Sequence, residues 1–180
     1  HPPRRQAAGC TGCAATGPRA RRSPARSEGR SLTVRELGPA ETGLAYEAML
    51  VLRPHLGVRA EFVRRIDDVQ RAEGFRLVAS FEDGDETAAA CAGFRVGHNT
   101  AWGHHLYVDD VSTRPAYRRH GHASALLDWL FAEARRLGCE QLHLDSGHHR
   151  HDAHRVYVNH GMAITAHHFR ADLRSGSDTP

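Results

Sequence analysis

The segment from His122 to Leu137 constrains this chain more than any other. Its apolar positions Leu126, Leu127, Leu130, Phe131, Ala134 and Leu137 recur at spacings of three, four and seven, so one apolar stripe runs down a helix. Gly138 is placed to end it. Such a helix must cover something. His105–Thr113 before it reads as a strand that Pro115 stops, and Gln141–Asp145 after it reads as another. Strand, helix and strand in that order make a crossover unit, which needs a sheet with at least one parallel pair.

The rest of the chain supplies that sheet. Leu32–Glu36 reads as a strand, and Ala40–Leu52 and Val58–Ala72 have helical spacing, with Phe62, Ile66 and Val69 on one stripe. Phe75–Phe81 and Thr87–Val96 read as strands joined at Glu82-Asp-Gly-Asp85, a hairpin signal. Asp152–Asn159 reads as a short helix and Met162–Asp172 as a last strand. The predicted class is α/β, with a mixed, partly antiparallel sheet flanked by helices.

Charge divides the chain. Residues 1–30 hold seven arginines and one glutamate, leaving 17 basic and 20 acidic side chains for the remainder. With no Val, Ile, Leu or aromatic residue, 1–30 is expected to be a disordered arm, 31–173 the folded domain and 174–180 a tail. The basic surplus lies in the arm, which argues against a nucleic-acid-binding domain. No apolar run is long enough to span a membrane, and no export signal is complete, so no membrane partner is expected. Four cysteines are too few for a disulfide scaffold, which favours a cytoplasmic protein; Cys10 and Cys13, without a second pair, are read as chance spacing. All 24 basic residues are arginine, so the chain has no lysine of its own to acylate.

Chemistry concentrates between Val108 and Ala123. A turn of small and basic residues opening a helix leaves backbone N–H groups without helical acceptors, at the positive end of the helix dipole. That is a phosphate site in waiting. No acid sits in the first turn, Gly121 permits close backbone approach, and Arg118, Arg119, His120 and His122 add positive or titratable charge.

Arg118-x-x-Gly121-x-Ala123 resembles the Q/R-x-x-G-x-G/A signature of the GNAT N-acetyltransferase superfamily. Leu106–Thr113 is similar to that family's fourth strand, and Ala153-x-x-x-Tyr157-x-x-x-Gly161-Met162 to a later helical segment. The resemblance covers about Leu32–Asp172 and implies acetyl-CoA as cosubstrate, an amine as acceptor and no metal. It implies a V-shaped splay between the fourth and fifth strands. The pyrophosphate would lie on the amides of Arg119, His120, Gly121, His122, Ala123 and Ser124, beside Arg118. The cofactor's arm would run along Val111, Ser112 and Thr113. Where many members have asparagine this chain has Arg150, and the nearby Asp152 is the candidate substitute. A homodimer is compatible with the resemblance.

Tyr157 is implied as general acid to the departing thiolate. For the base, Asp109 and Asp110 are the best carboxylates, and alternation puts them on opposite faces, so that at most one faces the acceptor. His55, Phe62, Trp102 and His104 are candidate pocket liners. The histidines between His148 and His154 have spacing that invites a metal, but the implied chemistry needs none. The expected function is N-acetyl transfer to a primary amine of a small molecule or protein; a non-catalytic acyl-CoA sensor of the same fold is the alternative.

Overall fold

The computed structural model describes residues 31–173; the predicted arm, its Cys10 and Cys13, and the tail lie outside them. One five-stranded sheet runs in the order β1 (Leu32–Leu37), β2 (Arg76–Glu82), β3 (Ala90–Asn99), β4 (Gly103–Thr113) and β5 (Gln141–Leu144). The first four strands are antiparallel neighbours, and β4 and β5 are parallel. Between β1 and β2 lie α1 (Tyr46–Leu52) and α2 (Arg59–Arg64), α1 preceded by a 3-10 turn. The crossover helix α3 (His122–Arg136) joins β4 to β5, and α4 (His151–Asn159) follows.

The sheet has a core on each face because its central strands are apolar on both sides. Leu37, Phe62, Ile66, Leu77, Phe81 and Cys91 form the layer under α1 and α2. Val78, Phe94, Leu106 and Val108 form the other, with Leu126, Leu127 and Leu130 of α3 pressed onto them. The helical stripe read from sequence is therefore the face that packs.

An ion cluster ties this second layer together. The Arg76 guanidinium donates to Glu36 at 2.5 Å and to Glu133 at 2.6 Å, while lying 4.8 Å above the Phe94 ring. Arg136 donates to the same Glu133, which is 7% exposed and whose pKa these partners, Arg136 first, hold down to about 2. Glu133→Gln leaves a half-buried guanidinium short of one anion, and a loss of about 2 kcal/mol is expected in thermal unfolding at pH 7. Because the folded pKa is depressed, this contribution is complete above the ordinary glutamate value and is lost as pH falls toward 2. The difference between wild type and variant therefore narrows in acid.

Two elements depart from expectation. Beyond α2 the chain widens into a π-type stretch, Arg65–Gln70. The wider turn shifts the helical phase, so Phe62 and Ile66 stay buried while Val69 is 52% exposed. The predicted last strand is not one: residues 162–173 form no helix, strand or turn and have no partner in the sheet. Ile164 and Phe169 fall on opposite parities and are 80% and 90% exposed, so the segment offers no single apolar face to anchor a register.

Candidate active site

The turn before α3 has the backbone that its sequence suggested. Arg119 (φ 66°) and Gly121 (φ 91°) both adopt left-handed conformations, and the first intrahelical bond runs from Ala125 N–H to the Gly121 carbonyl. The amides of His122, Ala123 and Ser124 therefore have no helical acceptor, and no side chain caps them. Arg118 and Arg119 are exposed and form no ion pair with a described residue. Gly121 has nothing within 4 Å of where a Cβ would stand, so Gly121→Ala meets no clash. It does strain the left-handed backbone, by about 1–2 kcal/mol. The alanine turn relieves that strain by leaving the left-handed region when free and must recover it to present its amides, so calorimetry should show coenzyme A binding weakened about tenfold.

Beside the turn, the sheet opens. β4 and β5 pair only from His105–Gln141 to Val108–Leu144. Beyond Val108, β4 continues to Thr113 paired with β3 alone, so the edge of Val111, Ser112 and Thr113 that faces β5 is free of strand partners. This is the expected splay. The Ser112 hydroxyl is not spare: it donates to the Ala48 carbonyl at 2.6 Å, tying α1 to β4.

Tyr157 lies on α4, partly buried against the core on the α3 side, and its hydroxyl makes no hydrogen bond to a described residue. Burial pushes its pKa up, so the phenol is protonated at neutral pH. Asp152 differs from expectation: its side chain is 94% exposed and paired with Arg155 one turn further along. A carboxylate at the solvent end of α4 is held by its own helix rather than presented to a ligand.

The carboxylates also differ from expectation. Gly93 pairs with Asp110 while the next residue, Phe94, pairs with Val108, which leaves Asp109 as the extra residue of a β-bulge. The bulge breaks the alternation, and Asp109 and Asp110 line the same cavity, of about 320 Å³, on the α1–α2 face. Arg95 donates to Asp109 at 2.9 Å and Arg53 to Asp110 at 2.8 Å. Burial, partly offset by Arg95, pushes the Asp109 pKa up. Phe75, a wall of this cavity, packs so closely on Gly93 that a Cβ there would sit 2.3 Å from its ring. Neither arginine was legible beforehand, because the register of β3 on β4 brings Arg95 to Asp109 and the packing of α1 brings Arg53 to Asp110.

Of the candidate liners, His55 and Phe62 reach this cavity. Trp102 stacks on His143, at 3.9 Å between ring centres, and His104 bonds the Gly138 carbonyl. His122 is divided: its amide is one of the uncapped N–H groups of the turn, but its ring is buried and faces Ser80 and Glu82. Glu82 itself was missed. It is remote in sequence from a turn whose own first residues are free of acid, yet it lies against His120 and His122.

An extended, phosphate-bearing thioester thus has an open strand edge to lie along and an uncapped helix start to hold its charged end, the arrangement of a coenzyme A-dependent acyltransferase. The profile of the Acetyltransferase (GNAT) family matches residues 44–162, and the chain belongs to that family. An uncharacterized N-acetyltransferase of Bacillus subtilis (strain 168), YhdJ, is 32% identical over 127 residues, covering 70% of this chain and 87% of its own. An acetyltransferase of Trypanosoma brucei superposes with a TM-score of 0.68 at 22% identity, over 79% of this chain and 100% of that one. The aminoglycoside N-acetyltransferase AAC(6')-Iy, solved in complex with CoA, gives 0.69 at 15% identity, over 82% and 97%. This chain is an acetyl-CoA-dependent N-acetyltransferase.

Proposed function

We propose that the enzyme moves the acetyl group directly from acetyl-CoA to a primary amine seated in the cavity beneath α1 and α2, with Asp109 as proton acceptor and Tyr157 as donor to sulfur. The amine nitrogen attacks the thioester carbonyl, the C–N bond forms and the C–S bond breaks. The ammonium proton passes to Asp109, directly or through water, and the departing thiolate takes its hydrogen bond from Tyr157. The pyrophosphate rests on the amides from Arg119 to Ser124. The observation that carries this reading is the shared cavity of Asp109 and Asp110 beside the unpaired edge of β4.

The transfer is carried by these side chains and requires no metal. Freeing an alkylamine of pKa near 10.4 from its proton at pH 7 costs about 4.6 kcal/mol, and the half-buried Asp109 carboxylate supports a base in this role. Among the described residues no helix is long and apolar enough to cross a membrane. The free thiols of Cys91 and Cys139 support a place in the reducing cytoplasm.

The test is a panel of amines, both small molecules and peptides with a free α-amine, scored by thiol release from acetyl-CoA. Release that depends on the amine is expected. Tight coenzyme binding without release for any amine would overturn the proposed acceptor class and its seat in this cavity.

A further inference from the structure

The start of α3 holds a second cluster that acyl transfer does not use. Glu82 closes β2, and His120 and His122 flank Gly121. Glu82 Oε1 lies 2.9 Å from His120 Nδ1 and 3.2 Å from His122 Nε2, and one ligand atom from each residue falls within 4.8 Å of the other two. Donor atoms around a tetrahedral zinc with bonds of 2.0–2.1 Å stand about 3.3 Å apart, so small shifts convert this cluster into a ligand set. Two borderline imidazole nitrogens and one hard carboxylate oxygen make a set that suits zinc and its neighbours.

The surroundings are built for the same purpose. His122 is 1% exposed, and its Nδ1 lies 2.8 Å from Ser80 Oγ, a partner that fixes the ring and turns Nε2 toward Glu82. Close by, Asp85 interacts with the Tyr117 hydroxyl and with His122, and its Oδ2 is buried without a hydrogen-bond partner among the described residues. Two carboxylates next to a turn meant for an anion are electrostatically misplaced unless a cation joins them.

We propose that Glu82, His120 and His122 form a site for one divalent transition ion of the zinc class, which ties the end of β2 to the first turn of α3. Three protein ligands leave a fourth position for water or another oxygen donor. The ion is a brace for the phosphate-binding turn and takes no part in the chemistry of transfer.

The full chain, stripped with a chelator, is titrated with Co²⁺ as a visible probe and then with Zn²⁺. One equivalent should give the intense bands of a four-coordinate site, and Zn²⁺ should abolish them. Ser80→Ala, which removes only the partner behind His122, should weaken binding 10–100-fold. His120→Ala should weaken it further; His120 is at the surface, and unchanged circular dichroism without metal checks that the fold is intact. Replacing His148, His149, His151 and His154 together by alanine should leave the bands in place. A titration without a tight equivalent overturns the proposal. So does a His120→Ala protein that titrates like wild type, or loss of the bands only when the four histidines are removed.

Discussion

Replacing Tyr157 with phenylalanine is expected to lower kcat about 10²-fold while affinity for coenzyme A stays within roughly twofold. The phenol needs a partner that only the reaction supplies, since its hydroxyl bonds to no described residue. In the ground state a thioester sulfur is a poor acceptor; as the C–S bond breaks, charge collects there and the hydrogen bond strengthens. An interaction made mainly in the transition state raises kcat and leaves binding alone. Full proton transfer from an ordinary phenol to a thiolate is uphill by about 2 kcal/mol. Burial makes the Tyr157 phenol a still weaker acid, so the contribution is a donated hydrogen bond rather than a delivered proton. Steady-state kinetics with coenzyme A calorimetry checks both halves. An unchanged kcat removes Tyr157 from the mechanism.

Asp109→Asn should cost about 10²-fold in kcat at pH 7 and should also change the shape of its pH profile. The base must be ionised to accept a proton, so the wild-type rate falls as pH drops through the Asp109 pKa. Burial raises that pKa, and the acidic limb therefore stands above the usual aspartate value of about 3.9. The asparagine variant loses this limb along with most of its rate. Asp110→Asn provides the contrast, because Arg53 holds that carboxylate in the same cavity. If the limb survives in the Asp109 variant and disappears in the Asp110 variant, the two roles are exchanged.

What could be read in advance follows the range of the forces involved. The stripe of α3, the turn at Gly121 and the frame of Tyr157 by Ala153 and Gly161 are local patterns, each written within a few consecutive residues. The family signature is local for the same reason: amides that grip a phosphate come from one short run of backbone. The failures were also physical. Alternation separated Asp109 from Asp110 until one bulge brought them to the same side. Val69 left its stripe when the helix widened. The segment 162–172 has strand-like residues but no consistent apolar parity, so nothing commits it to the sheet.

The sequence by itself determined the crossover helix, the strands on either side of it and the uncapped turn at Gly121, because propensity, periodicity and the unpaired amides of a helix start are properties of neighbouring residues. Tertiary structure alone decided which groups meet at the sites. Arg95 reaches Asp109 from across a strand pair, and Arg53 reaches Asp110 from the end of α1. Glu82 comes to His120 and His122 from about forty residues away. Charges at that separation in sequence have no mutual energy until burial of the two apolar layers fixes the distance between them, and only then do they act on one another.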